Sequence, residues 1–151
     1  MIHPEIVRMN AQNVDDVCGI ESKCFLTPWS KASFVEELEN PLAYYLVAIV
    51  DDQPAGFIGA WIVFDECHVM NVAVLPEYRH QGVASVLLEK MIDDARKKGV
   101  SYFSLEVREG NSEAIQLYHK HGFYVNGRRK KYYTDSGEDA LLMWRSEEDE
   151  T

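Results

Sequence analysis

The chain has 151 residues, 46% hydrophobic and 26% charged, which is the balance of one soluble globular domain long enough to bury a core. A formal net charge of −10 argues against the phosphate backbone of nucleic acid as the main ligand; it suits an amine or a basic polypeptide, and equally plain solubility. The longest uncharged stretch, Gln53 to Phe64, is too short to cross a bilayer, the start Met1-Ile2-His3-Pro4-Glu5 lacks the regions of a secretion signal, and Cys18, Cys24 and Cys67 have no paired spacing, so free thiols in the cytoplasm are expected.

Ile6-Val7-Arg8-Met9 reads as a short first strand. Val14, Val17, Cys18, Ile20 and Phe25 recur at helical spacing after Asn13, a natural N-cap. Thr27-Pro28-Trp29-Ser30 breaks that helix, and Ser30 can cap a second one through Phe34, Val35 and Leu38. Tyr44 to Val50 and Ala55 to Phe64 form a predicted hairpin across Asp51-Asp52-Gln53-Pro54, and Glu66 to Leu75 returns as a third strand. Val83, Leu87, Leu88, Met91, Ile92 and Ala95 then trace one apolar helical stripe that Gly99 ends. A strand over Ser101 to Arg108, a helix over Ser112 to His121 capped by Asn111, and strands over Phe123 to Arg129 and Ala140 to Trp144 complete the order. That order, β-α-α-β-β-β-α-β-α-β-β, predicts an α/β fold with a mixed sheet and helices on both faces. Residues 1–146 form the expected domain, and 147–151 an acidic disordered tail.

Arg79-His80-Gln81-Gly82-Val83-Ala84 joins the third strand of that series to the striped helix. Such a loop stacks backbone N–H groups at a helix start, where the dipole is positive, and makes a seat for a diphosphate. An ordinary strand-to-helix turn with a chance glycine fits the same spacing. In Phe103-Ser104-Leu105-Glu106-Val107-Arg108 the alternation puts Ser104, Glu106 and Arg108 on one face. A carboxylate there is solvated, paired with Arg108, or used in chemistry. HExxH, CxxC and carboxylate arrays are lacking, so no metal is expected.

The run Asn71-Val72-Ala73-Val74-Leu75-Pro76-Glu77-Tyr78 through Ala84 resembles the acetyl-CoA signature of the GNAT N-acetyltransferase superfamily, with Arg79, Gly82 and Ala84 in its defining places. Asn111-Ser112-Glu113-Ala114-Ile115 through Tyr118 to Gly122-Phe123 resembles a second segment of that superfamily, in the right order. The resemblance implies acetyl-CoA as cosubstrate. Its diphosphate would lie on Arg79, His80, Gln81, Gly82, Val83, Ala84 and Ser85. Its pantetheine arm would lie along Val72, Ala73 and Val74, whose strand would splay from the one carrying Glu106, with Asn111 and Tyr118 also meeting the coenzyme. Glu106 aligns with the general base of bacterial N-terminal-alanine acetyltransferases, and Tyr118 with the acid that protonates the leaving thiolate; a core-packed tyrosine is the plain alternative. Phe25 to Ser30 and Arg129-Lys130-Lys131-Tyr132-Tyr133 resemble the RimI-type, ribosomal-protein alanine subgroup. There Trp29, Tyr132 and Tyr133 would border a basic protein N-terminus, that of ribosomal small-subunit protein 18, and the enzyme would be a monomer or weak dimer without direct contact to nucleic acid or membrane. A small-amine or lysine acetyltransferase, or a non-catalytic acyl-CoA-binding module, would share these motifs.

Overall fold

The computed structural model describes residues 2–147; the expected acidic tail, past Glu147, lies outside the described residues. Seven strands form one sheet: β1 (Glu5–Arg8), β2 (Ala43–Val50), β3 (Gln53–Val63), β4 (Glu66–Val74), β5 (Tyr102–Arg108), β6 (Tyr124–Arg129) and β7 (Ala140–Ser146). Their spatial order is β1-β2-β3-β4-β5-β7-β6, antiparallel throughout except for the parallel pair β4 and β5. The helices are α1 (Val14–Cys24), α2 (Lys31–Glu39), α3 (Val83–Lys97) and α4 (Ser112–Lys120), and a 3-10 turn, Pro76–Tyr78, enters α3. The predicted mixed sheet with helices on both faces is the observed architecture. None of these helices is long and apolar enough to cross a membrane.

Alternation on β2 builds two cores. Leu46, Ala48 and Val50 face the α3 side, where all six residues of the apolar stripe are buried; Tyr45 and Val47 face α1 and α2 with Phe34 and Phe57. Leu87 and Leu88 are fully buried, each contributing about 1.5–3 kcal/mol relative to an exposed side chain. Gly59 is required by this packing, because any Cβ there would collide with the Tyr45 ring. Asp51 and Asp52 both have positive φ, 49° and 63°, as a tight hairpin turn demands.

The caps divide. Ser30 Oγ accepts the Ser33 N–H at 3.2 Å, as predicted. Asn13 sits at the start of α1 without capping it: its Oδ1 accepts the Asn10 N–H at 2.7 Å and its Nδ2 donates to the Arg8 carbonyl. The Asn10 side chain accepts from the Gln12 and Asn13 N–H groups, so a local turn outcompetes the cap. Glu147 is held to the body of the domain by Arg145 (2.8 Å) and Arg96 (3.3 Å).

One irregularity positions the site. Gly59 pairs with Asn71 and Ala60 with Val69, so Met70 is an extra residue in β4 and bends it. The ladder between β4 and β5 runs from Glu66 and Tyr102 to Val69 and Leu105 and ends there, while β4 follows β3 as far as Val74. Past the bulge the two strands part.

Candidate active site

The parted strands border a cavity of about 850 Å³. Leu75 N–H donates to the Ala55 carbonyl on the β3 side, so strand alternation turns the main-chain groups of Val74 and Val72 toward the split. The Val74 carbonyl on that edge accepts from Arg79 Nε at 2.9 Å. Across the opening, α3 starts at Gly82, whose φ of 85° lies in the left-handed region, with no side chain capping the helix. Its first-turn N–H groups therefore lack protein acceptors and carry the positive end of the helix dipole.

Val72, Ala73, Val74, Arg79, His80, Gly82, Val83, Ala84, Ser85, Asn111 and Tyr118 all line this cavity, so the structure brings together nearly every residue predicted there from the sequence. Gln81 does not line it; its side chain donates to the Glu77 carbonyl and braces the turn. The Arg79 guanidinium is committed to Val74 and lies 3.7 Å from Cys24 Sγ, and Ser85 Oγ is 2.7 Å from His121 Nε2. What faces a ligand at this loop is main chain. Asn111 caps α4 by accepting the Ala114 N–H at 3.2 Å.

Glu106 projects from β5 at the split, its side chain 15% exposed. The Glu106–Arg108 pair that alternation allowed does not form. Glu106 Oε1 lies 3.7 Å from His68 Nε2 and 3.8 Å from Arg129 Nε, while Arg108 binds Asp135. His68 is the parallel-ladder partner of Ser104, and its Nδ1 is 2.9 Å from Ser104 Oγ. Hydrogen bonding to Glu106 raises the Tyr132 phenol above its usual value. Tyr118 is 8% exposed, its ring 6.0 Å from that of Phe123, and burial pushes its pKa up to about 12. It is packed on the core and lines the cavity as well. Its phenol stays protonated, and so a donor, throughout the neutral range.

A second cavity of about 300 Å³ is lined by Trp29, His68, Val69, Met70, Asn71, Glu106, Tyr132 and Tyr133. Trp29, Met70, Asn71, Glu106 and Tyr133 border both cavities, so Glu106 stands where the large cavity meets the small pocket. Two predicted loops form the pocket walls. The Trp29 N–H donates to Glu21 Oε2 at 3.0 Å, and Tyr132 and Tyr133 pack edge to face at 5.1 Å. Arg128, just before that second loop, bridges Glu109 and Asp139 at 2.9 and 2.7 Å. Among the described residues no group of three or more His, Cys, Asp or Glu side chains is placed to hold a metal.

The chain matches the acetyltransferase (GNAT) family over residues 14–123. It belongs to that family. A Bacillus subtilis (strain 168) protein, provisionally named a ribosomal protein bS18-alanine N-acetyltransferase, is 45% identical over 137 residues, covering 90% of this chain and 91% of the relative. The ribosomal protein bS18-alanine N-acetyltransferase of Escherichia coli (strain K12) is 39% identical over 127 residues, 82% of this chain and 84% of the relative. The crystal structure of the ribosomal-protein-S18-alanine N-acetyltransferase from Escherichia coli superposes with a TM-score of 0.88 at 32% identity, covering 95% of this chain and 94% of that one.

Within this GNAT domain, sequence reasoning missed His68, Met70, Asn71 and Asp135, which line the cavities, and the buried Glu21 beneath Trp29. His68 was within reach: in the parallel register it stands beside Ser104, next along the Glu106 face. The Met70 bulge leaves no mark in a run of mostly apolar residues.

Proposed function

We propose that this GNAT protein transfers the acetyl group of acetyl-CoA to the α-amine of a protein N-terminus, that of ribosomal protein bS18 with its N-terminal alanine, by direct attack within a ternary complex. The observation that carries this reading is the single carboxylate, Glu106, shared by a cavity of about 850 Å³ and a pocket of about 300 Å³. The residues fit an acyl-CoA: uncapped N–H groups at Gly82 suit a diphosphate, and the free edge of β4 suits the amides of a pantetheine arm.

A peptide α-amine has a pKa of about 7.8, so roughly a tenth is neutral at pH 7, whereas a lysine amine must give up about 4–5 kcal/mol to deprotonate there. One carboxylate is adequate for the first task. The amine enters through the small pocket, and Glu106 takes its proton as the new amide bond forms. One of the main-chain N–H groups that β4 turns toward the split, at Val72 or Val74, polarises the thioester carbonyl in this reading. Tyr118, neutral and nine-tenths buried, donates its proton to the departing thiolate.

The test is mass spectrometry of the full chain with acetyl-CoA and a mixture of Ala-starting basic peptides, lysine peptides and polyamines. Acetylation at the peptide α-amine is expected. Modification of polyamines alone or of lysine alone would replace this reading, and absence of thiol release with every amine would reduce the protein to a binding module.

A further inference from the structure

Arg108 occupies the same strand face as Glu106, two residues on, and its guanidinium serves a segment far away in sequence. Nη1 and Nη2 bind the two carboxylate oxygens of Asp135 at 2.9 and 2.8 Å, Nη1 also reaches Ser136 Oγ at 3.1 Å, and the guanidinium lies 4.0 Å over the centre of the Tyr133 ring. Asp135, Ser136 and Tyr133 belong to one turn, closed by a 2.8 Å bond from the Gly137 N–H to the Tyr133 carbonyl. A planar, five-donor group can grip a carboxylate with its fork and an aromatic ring with its face at once; a lysine cannot. Tyr133 is one of the residues shared by the small pocket and the large cavity, it packs against Tyr132, and Tyr132 reaches Glu106.

We propose that Arg108 is a positioning residue that sets which first residue an acceptor can carry: by latching Asp135 and stacking on Tyr133, it fixes the part of the small pocket's wall that Tyr133 supplies. The inference rests on the peptide N-terminus being the acceptor. An untethered 133–137 turn would let Tyr133 swing out and enlarge the pocket. A tethered one keeps it near 300 Å³, room for a small side chain beside the amine. Arg108 itself lines the large cavity, but its guanidinium is held by Asp135 and Tyr133, and it acts on the acceptor through Tyr133, so its signature is in acceptor KM and selectivity.

The test compares wild type, Arg108→Lys, Arg108→Ala and Asp135→Asn as full chains, on basic peptides that differ only in beginning with Ala, Ser or Met. Arg108→Ala should raise KM for the Ala peptide about tenfold, the scale of a lost charge-assisted fork, with kcat and acetyl-CoA affinity each falling by less. The Ala-over-Met preference should narrow by a similar factor. Arg108→Lys and Asp135→Asn should fall between, since each keeps part of the contact. Amide hydrogen exchange at Gly137 should quicken in Asp135→Asn, a readout independent of turnover. Unchanged preference in every folded variant, or a fall in kcat alone, would overturn the latch. Should Arg108→Ala not fold, Asp135→Asn decides. If wild type acetylates none of these peptides, the N-terminal reading fails, and exchange at Gly137 still reports separately whether Asp135 holds the turn.

Discussion

The two sides of the split between β4 and β5 are built by opposite means. On the coenzyme side the surface offered to a ligand is main chain: the edge of β4 around Val72, next to the Val74 carbonyl that Arg79 occupies, and the first turn of α3 after Gly82. Three side chains there are engaged within the protein, Arg79 and Gln81 on the main chain of Val74 and Glu77 and Ser85 on the His121 ring. On the acceptor side the surface is side chain: Trp29 hung from Glu21, Tyr133 under Arg108, and Tyr132 over Glu106. A main-chain surface recognises what every acyl-CoA shares and tolerates exchange of its side chains. A side-chain surface can be re-cut one residue at a time, which suits the half of a reaction that differs between relatives.

The sharpest way to separate the two sides is at Glu106. Glu106→Gln keeps the shape and removes the base, so kcat should drop about a hundredfold or more in a thiol-release assay, the usual scale for a general base. Calorimetry should find acetyl-CoA affinity nearly intact, because the main chain does the binding. An equal loss of both would make Glu106 a structural residue.

Tyr118 lines the coenzyme side and also packs on the core, and pH distinguishes its roles. Tyr118→Phe should lower kcat roughly a hundredfold. In wild type, kcat/KM should climb as the peptide amine loses its proton near pH 7.8 and then hold past pH 10, where an ordinary tyrosine ionises. Burial raises this phenol to about 12, so the protonated form that donates is present below that value and lost only as pH rises through it. A decline centred between pH 9 and 10 would contradict the buried donor.

A smaller and more selective effect is expected at Gly82. Its φ of 85° costs a residue with a Cβ about 1–2 kcal/mol, so Gly82→Ala should distort the turn at the start of α3. Acetyl-CoA Kd should rise about tenfold while acceptor KM stays within about twofold, because the acceptor wall is elsewhere. Acceptor KM rising in step would show that the two sides are not independently built.

The same contrast explains what could be read from the chain. The coenzyme side was legible because its parts are contiguous: the Val83 to Ala95 stripe fixes α3, Gly82 stands one residue before it, and the preceding apolar run is β4. Glu106 was placed by strict alternation in β5. The acceptor side depends on long-range partners. Arg108 meets Asp135 across 27 positions, and the local alternative, Glu106, was the pairing that spacing suggested. Met70 escaped because an inserted residue leaves composition unchanged and reveals itself only in the partner strand's register. Asn13 misled because Asn10, three residues earlier, offered its neighbours a competing turn.

Glu21 carries the smallest predicted effect, and its sign is informative. It is 3% exposed; Oε2 accepts the Trp29 N–H, and among the described residues the buried Oε1 has no hydrogen-bond partner. Burial raises its pKa, so its charged form is disfavoured in the folded state; the stability this group contributes is present at acid pH and lost as pH rises through the folded-state value. Glu21→Gln keeps an acceptor for Trp29 and removes the buried charge. Urea unfolding at pH 7 should show a gain of about 1 kcal/mol, shrinking toward pH 4, where the wild-type carboxyl is itself neutral. Acceptor KM should hold, since the Trp29 wall stays hung from α1. A loss of stability at pH 7 would mean that the charge is compensated within the fold, and a raised KM at unchanged stability would move Glu21 from the support of the acceptor wall into the pocket itself.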